Sequence, residues 1–192
     1  MYALISCGVF QKEIERVAES LGFPFEARYL EPGLHVDFDE LAEALRFELE
    51  ACKCEKYDGT IVAYGQCHPK IEEIIKPYKA ALIDCQNCVD AFITSRGMEE
   101  KAKGGLFFYL SPGWIECWPE IFRRLNWDRE AARLQLGAFK GVVFMDTLGN
   151  ADDYEQQLLE FFDFTLLPWE ILPVDLSHFR SLIAKAGEEL LL

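Results

Sequence analysis

The chain has only three histidines and three methionines, and its 19 lysines and arginines are outnumbered by 33 acidic residues, a net charge of −14 over 192 residues. A surface this acidic repels phosphate backbones and anionic lipid, so neither nucleic acid nor a membrane is an expected partner. Long apolar runs are lacking too. The longest uncharged stretch, Gly104 to Ile115, is far shorter than the ~20 residues of a membrane helix. No basic leader opens the chain, so the cytoplasm is the expected location. Several motifs are also missing: a phosphate-cradling loop ending in Lys-Ser/Thr, a dinucleotide glycine fingerprint, a Gly-x-Ser-x-Gly elbow and a His-Glu-x-x-His pair. Common nucleotide-dependent and hydrolytic chemistries lose support accordingly.

What is present is an apolar, aromatic-rich chain, with 51% hydrophobic and 14% aromatic residues, able to bury a substantial core. Short apolar runs alternate with helical periodicity. Strands are expected at Tyr2–Ser6, Ala27–Leu30, Thr60–Tyr64, Ala80–Ile83, Leu106–Leu110, Gly141–Met145 and Trp169–Leu172. Helices are expected around Ile14–Leu21, Phe38–Leu49, Cys88–Thr94, Pro119–Leu125, Tyr154–Phe162 and Leu176–Ala186, the second capped by Asp37 or Asp39. Continuous apolar strands separated by amphipathic helices predict a three-layer α/β fold, with a mostly parallel sheet covered by helices on both faces. One domain over 1–192 is expected, or two lobes over 1–103 and 104–192. A loose internal echo of strand, small-residue break and helix recurs at Leu4–Val17, Phe107–Ile121 and Val142–Leu158.

In such folds ligands sit beyond the carboxyl ends of the strands. Cys7, Cys67, Cys85 and Cys88 all follow strands directly. In the cytoplasm seven cysteines, an odd number, do not form a disulfide framework. Core cysteines should scatter, as Cys52 and Cys54 do at a helix end; Cys117 is left open. Thiols gathered at one sheet edge instead suit zinc or an iron–sulfur cluster. His68, beside Cys67, could complete such a site. His35, after a Pro-Gly turn, is a further candidate, and Tyr64, Ser111 and Trp114 could line a pocket. Asp84 and Asp146 end strands and could act as a general base or support a ligand, with a helix cap the favoured role; Glu13, one turn into the helix after Cys7, could point at the site or lie on the helix surface, and His178 is expected at the surface or in a cap. A thioredoxin-like redox pair at Cys85 and Cys88 competes with the metal reading but leaves Cys7 and Cys67 without a role.

Taken in order, Ile5-Ser6-Cys7-Gly8-Val9, Gly33-Leu34-His35, Tyr64-Gly65-Gln66-Cys67, Asp84-Cys85-Gln86-Asn87-Cys88 and Leu110-Ser111-Pro112-Gly113-Trp114 resemble an uncharacterised family of anaerobic archaea and bacteria, domain-of-unknown-function family 1638. The resemblance implies functional roles for Cys7, His35, Cys67 and Cys88. It makes Cys85 an extra thiol and leaves His68 where the family usually has glycine. It also implies proximity to corrinoid-dependent methyl transfer, one-carbon or sulfur metabolism, a thiol or other small-molecule substrate, and a corrinoid or methyltransferase protein partner. Relatives run past a Leu-Leu-Leu like Leu190–Leu192 into one more strand. Two other readings stand beside the metal centre: a metal-free cysteine nucleophile or redox enzyme, and a non-catalytic module for a small ligand or partner.

Overall fold

The computed structural model describes residues 1–55, 57–94 and 104–191. Its strands are β1 (Tyr2–Cys7), β2 (Phe25–Leu30), β3 (Thr60–Ala63), β4 (Ala80–Leu82), β5 (Phe107–Leu110), β6 (Gly141–Asp146) and β7 (Trp169–Pro173). Its α-helices are α1 (Gln11–Val17), α2 (Phe38–Cys54), α3 (Ile71–Ile75), α4 (Pro112–Arg124), α5 (Arg129–Gln135), α6 (Glu155–Thr165) and α7 (Ser177–Glu189). Every strand pairing is parallel, as continuous apolar strands and helical crossovers require. The layered α/β architecture is therefore present, but the strands form two sheets, ordered β2-β1-β3-β4 and β5-β6-β7.

Alternation along β3 shows how the first sheet is covered. Thr60 reaches Cys52 of α2, while the next residue, Ile61, lies beneath Gly187 of α7. Successive strand residues face opposite ways, so α2 and α7 cover opposite faces. Helix α7 follows the last strand of the second sheet yet packs Phe179, Leu182, Ile183 and Ala186 into the core of the first. A division at 103/104 thus separates the sheets but not their helices. A second core gathers Leu110, Trp118, Phe122, Phe144 and Phe161 between β5, β6, α4 and α6.

Several local expectations need correction. Residues 88–92 form consecutive turns, followed by a bend at 93, rather than a helix. Helix α4 begins seven residues before Pro119, because Ser111 caps it by accepting the Trp114 amide and Pro112 suits its first turn. Helices α3 and α5 were absent from the periodicity, being five and seven residues long. Asp37 caps α2 through the amides of Asp39 and Glu40. Asp146 instead accepts the Gly149 and Asn150 amides in a turn, and Asp84 caps no described helix.

The two cores meet where the loop after β1 touches the start of α4. A Cβ on Gly113 would stand 2.2 Å from the Val9 carbonyl oxygen, closer than any side chain permits. Arg124 of α4 adds a polar tie to Glu31 and Glu40, both at 2.8 Å.

Candidate functional site

Three strand-end loops of the first sheet converge on one cavity. Cys7 ends β1, Tyr64 to Cys67 follow β3, and Gln86 to Cys88 follow β4. Parallel strands send all three loops to the same edge. The loops are locked by close backbone approach: Gln66 N donates to Gln86 O at 2.9 Å, and a Cβ on Gly65 would meet Asn87 backbone atoms at 2.7 and 2.8 Å. The cavity encloses about 240 Å³. Cys7, Cys67, Cys88, His35 and Tyr64 line it, with Val9, Phe10, Gln66, Gln86 and Asn87. Trp114 of α4 closes it from the second core.

Burial and mutual proximity govern its chemistry. Burial pushes the Cys7 thiol up to about 11, and an adjacent Cys67 adds to this; the Val9 amide and Tyr64 hydroxyl act the other way. Cys88 is pushed up to about 12, again by burial first and then by Cys67 and Cys7. Cys67 is raised by burial and partly relieved by a backbone hydrogen bond at Gly65. Thus each of the three thiols feels another or a backbone donor suited to a thiolate. Burial lowers His35 and holds it neutral at pH 7. Tyr64 is 2% exposed and raised well above its ordinary value by burial and by the neighbouring thiols. Among the described residues its hydroxyl has only the weak sulfur acceptor of Cys7 beside it, beyond ordinary hydrogen-bond geometry. Among the described residues no group of three His, Cys, Asp or Glu side chains stands close enough together to hold a metal ion. The thiols share the cavity without converging at its centre.

Other expected site residues lie elsewhere. Cys85 is 3% exposed and packs in the first core outside the cavity lining. His68 is also buried off the cavity: its Nδ1 accepts the Lys70 amide at 2.9 Å, and its ring stands edge-on to Phe38. Ser111 positions Trp114 by capping α4 and does not itself line the cavity. His178 is half-buried, with Nε2 3.2 Å from the Asp90 carbonyl. Cys52 is buried against the sheet and Cys54 is exposed.

Glu13 overturns its surface expectation. It is fully buried, and its Oε1 accepts from Thr147 Oγ1 at 2.7 Å across 134 residues of sequence. Among the described residues its Oε2 has no hydrogen-bond partner, and burial pushes the carboxyl up to about 7. A signal was present: Phe10, Glu13 and Val17 share one face of the first helix at spacings of three and four.

Fold and cavity together define a parallel α/β protein with a thiol-lined pocket at a strand-end edge. The chain belongs to the family described as a protein of unknown function (DUF1638), which matches residues 29–183. The matched span contains His35, Cys67 and Cys88; Cys7 precedes it. No curated protein matches the chain. A crystal structure of an uncharacterized protein from Actinobacillus succinogenes aligns over 99% of this chain and 89% of its own length, with 14% identity and a TM-score of 0.39. Among the described residues no helix is long and apolar enough to cross a membrane.

Proposed function

We propose that Cys7, Cys67 and Cys88 together hold a thiophilic metal centre, zinc or an iron–sulfur cluster. The observation that carries this reading is that three thiols from three separate loops line one small cavity, Cys67 being near enough to raise the other two. The donor chemistry fits: thiolates are the preferred ligands of both centres, and backbone amide donors beside Cys7 and Cys67 favour the charged form. As neutral thiols they stand apart; loading would require their deprotonation and movement toward one another. His35 supplies a neutral imidazole on the same cavity as a further donor.

Held by Cys7, Cys67 and Cys88, such a centre would supply activation of a small thiol by favouring its anion. Thiol activation for methyl transfer, with a corrinoid or methyltransferase protein as partner, is the reaction class we assign to it. Around that centre this chain's own residues divide the work. Trp114, Val9 and Phe10 exclude water, and the Tyr64 hydroxyl offers a donor to a bound small molecule.

A redox pair at Cys85 and Cys88 has less support. Cys85 lies outside the cavity, and burial pushes both thiols up to about 12, opposite to the low pKa of a reactive pair. The deciding experiment is anaerobic purification with elemental analysis. Stoichiometric zinc, or iron with acid-labile sulfide, lost in the triple Cys7→Ser, Cys67→Ser, Cys88→Ser variant, supports the proposal. Metal content that the triple variant retains contradicts it, as does failure of the reduced protein to take up either centre under anaerobic reconstitution.

A further inference from the structure

Among the described residues, none that lines the thiol cavity is a lysine, arginine, aspartate or glutamate, although 27% of the chain is charged. The cavity's titratable groups are three thiols, one imidazole and one phenol. Its wall is otherwise Val9, Phe10 and Trp114, with the amides of Gln66, Gln86 and Asn87. A carboxylate, phosphate or sulfonate entering here would lose its hydration and find no cation to replace it, a cost of several kcal/mol. An ammonium group would meet no anion.

One polar group nonetheless calls for a partner. The Tyr64 hydroxyl is buried at 2% exposure and lines the cavity, and its one polar neighbour among the described residues is the Cys7 thiol, beyond ordinary hydrogen-bond geometry. Sulfur is a weak acceptor, so the hydroxyl's donor capacity is left largely unused, at a cost of up to about 1–3 kcal/mol. A bound molecule presenting an acceptor would remove that cost. The volume of about 240 Å³ equals roughly eight waters at ~30 Å³ each, so the ligand has on the order of ten heavy atoms at most.

We infer that this cavity selects a small uncharged molecule, hydrogen-bonded through an acceptor atom to Tyr64, and rejects charged analogues of the same size. For the thiol substrate proposed above, this means a neutral alkyl or hydroxyalkyl thiol rather than one bearing a carboxylate or sulfonate. The inference rests on that reading for the substrate's thiol, but its charge selectivity belongs to the cavity and can be tested without metal.

The test uses alkylating agents matched in size. Metal-free, reduced protein at pH 7.5 is treated with iodoacetamide or iodoacetate, and modification of each cysteine is followed by mass spectrometry. Exposed Cys54 serves as the internal reference, since it carries the effect of the overall negative charge. The ratio of amide to carboxylate rates at Cys67 and Cys88 should exceed that at Cys54 by tenfold or more. Equal ratios overturn the inference, and so does a cavity that neither reagent enters. In Tyr64→Phe, iodoacetamide should react two- to tenfold more slowly at these cysteines, the range of one neutral hydrogen bond. Methyl iodide, which has no acceptor, should be unaffected. Equal effects on both reagents would remove Tyr64 from the recognition. Loss of charge selectivity with metal binding intact sinks this inference alone; absence of metal uptake with selectivity intact sinks only the metal centre.

Discussion

The two sheets of this protein follow the same parallel plan and end in opposite chemistry. Behind β1, β3 and β4 the strand-end loops carry thiols, an imidazole and a phenol, packed until none bears a charge. Behind β6 and β7 they carry Asp146, Thr147 and Asp175, whose oxygens are largely spent locally. Asp146 holds the amides of Gly149 and Asn150, Asp175 holds that of Ser177, and Thr147 holds Glu13. The first edge lines a small cavity with its side chains; the second uses several of its own to fasten loops and to join the cores, beside a wider cleft flanked by Arg16 and Arg180.

The sharpest way to break that contrast is to remove one cavity thiol. Cys7→Ser, Cys67→Ser or Cys88→Ser should each weaken metal retention by more than ~100-fold, exceeding the loss typical of residues that merely support ligands. Cys54→Ser should leave it unchanged, as elemental analysis of the purified variants would show. Next, Gly113→Ala forces a Cβ onto the Val9 carbonyl between the cores. We expect about 3 kcal/mol of destabilisation in urea titration, at the upper end for overpacking. Tightening in the other direction, Glu13→Gln should stabilise the protein by up to about 3 kcal/mol above pH 7. The native carboxyl stays protonated until about pH 7, whereas its ordinary value is 4.5. Native protein therefore binds the extra proton, and wild-type stability from this group falls as pH rises through that window. Glutamine retains the Thr147 contact without the buried charge. The charges beside Glu13, Lys12 and Glu116, pair with each other and partly offset their effects on it. Urea titrations at pH 5 and pH 8 should show the gain only at the higher pH. The smallest effect belongs to Arg124→Met, which removes the tie to Glu31 and Glu40. It should cost about 1 kcal/mol at low salt and less at high salt, because the carboxylates are exposed.

The parallel layers and the edge that holds the cavity were legible because long apolar strands and strand-end cysteines are local signals. Cys7, Cys67, Cys88, His35, Tyr64 and Trp114 all line the cavity. What local signals could not separate was Cys85 from Cys88. Both follow β4, but only Cys88 lines the cavity, while Cys85 packs into the core. His68 was similarly ambiguous, since its neighbour Lys70 claims its Nδ1 through a turn that the sequence does not announce. The separation into two sheets, and the return of α7 to the first, depend on contacts between residues more than a hundred positions apart. Glu13 was misplaced because a carboxylate reads as surface unless its distant partner, Thr147, is known.

Proton counting tests the thiol triad most directly. The three cavity thiols are protonated at neutral pH, and binding a metal as thiolates must release those protons. Zinc titrated into metal-free, reduced protein at pH 7.5 in weak buffer should bind stoichiometrically and release about three protons per ion. In the variant lacking Cys7, Cys67 and Cys88 both signals should vanish. Weak binding with no proton release, or release that persists in that variant, would contradict a metal centre built from these three cysteines.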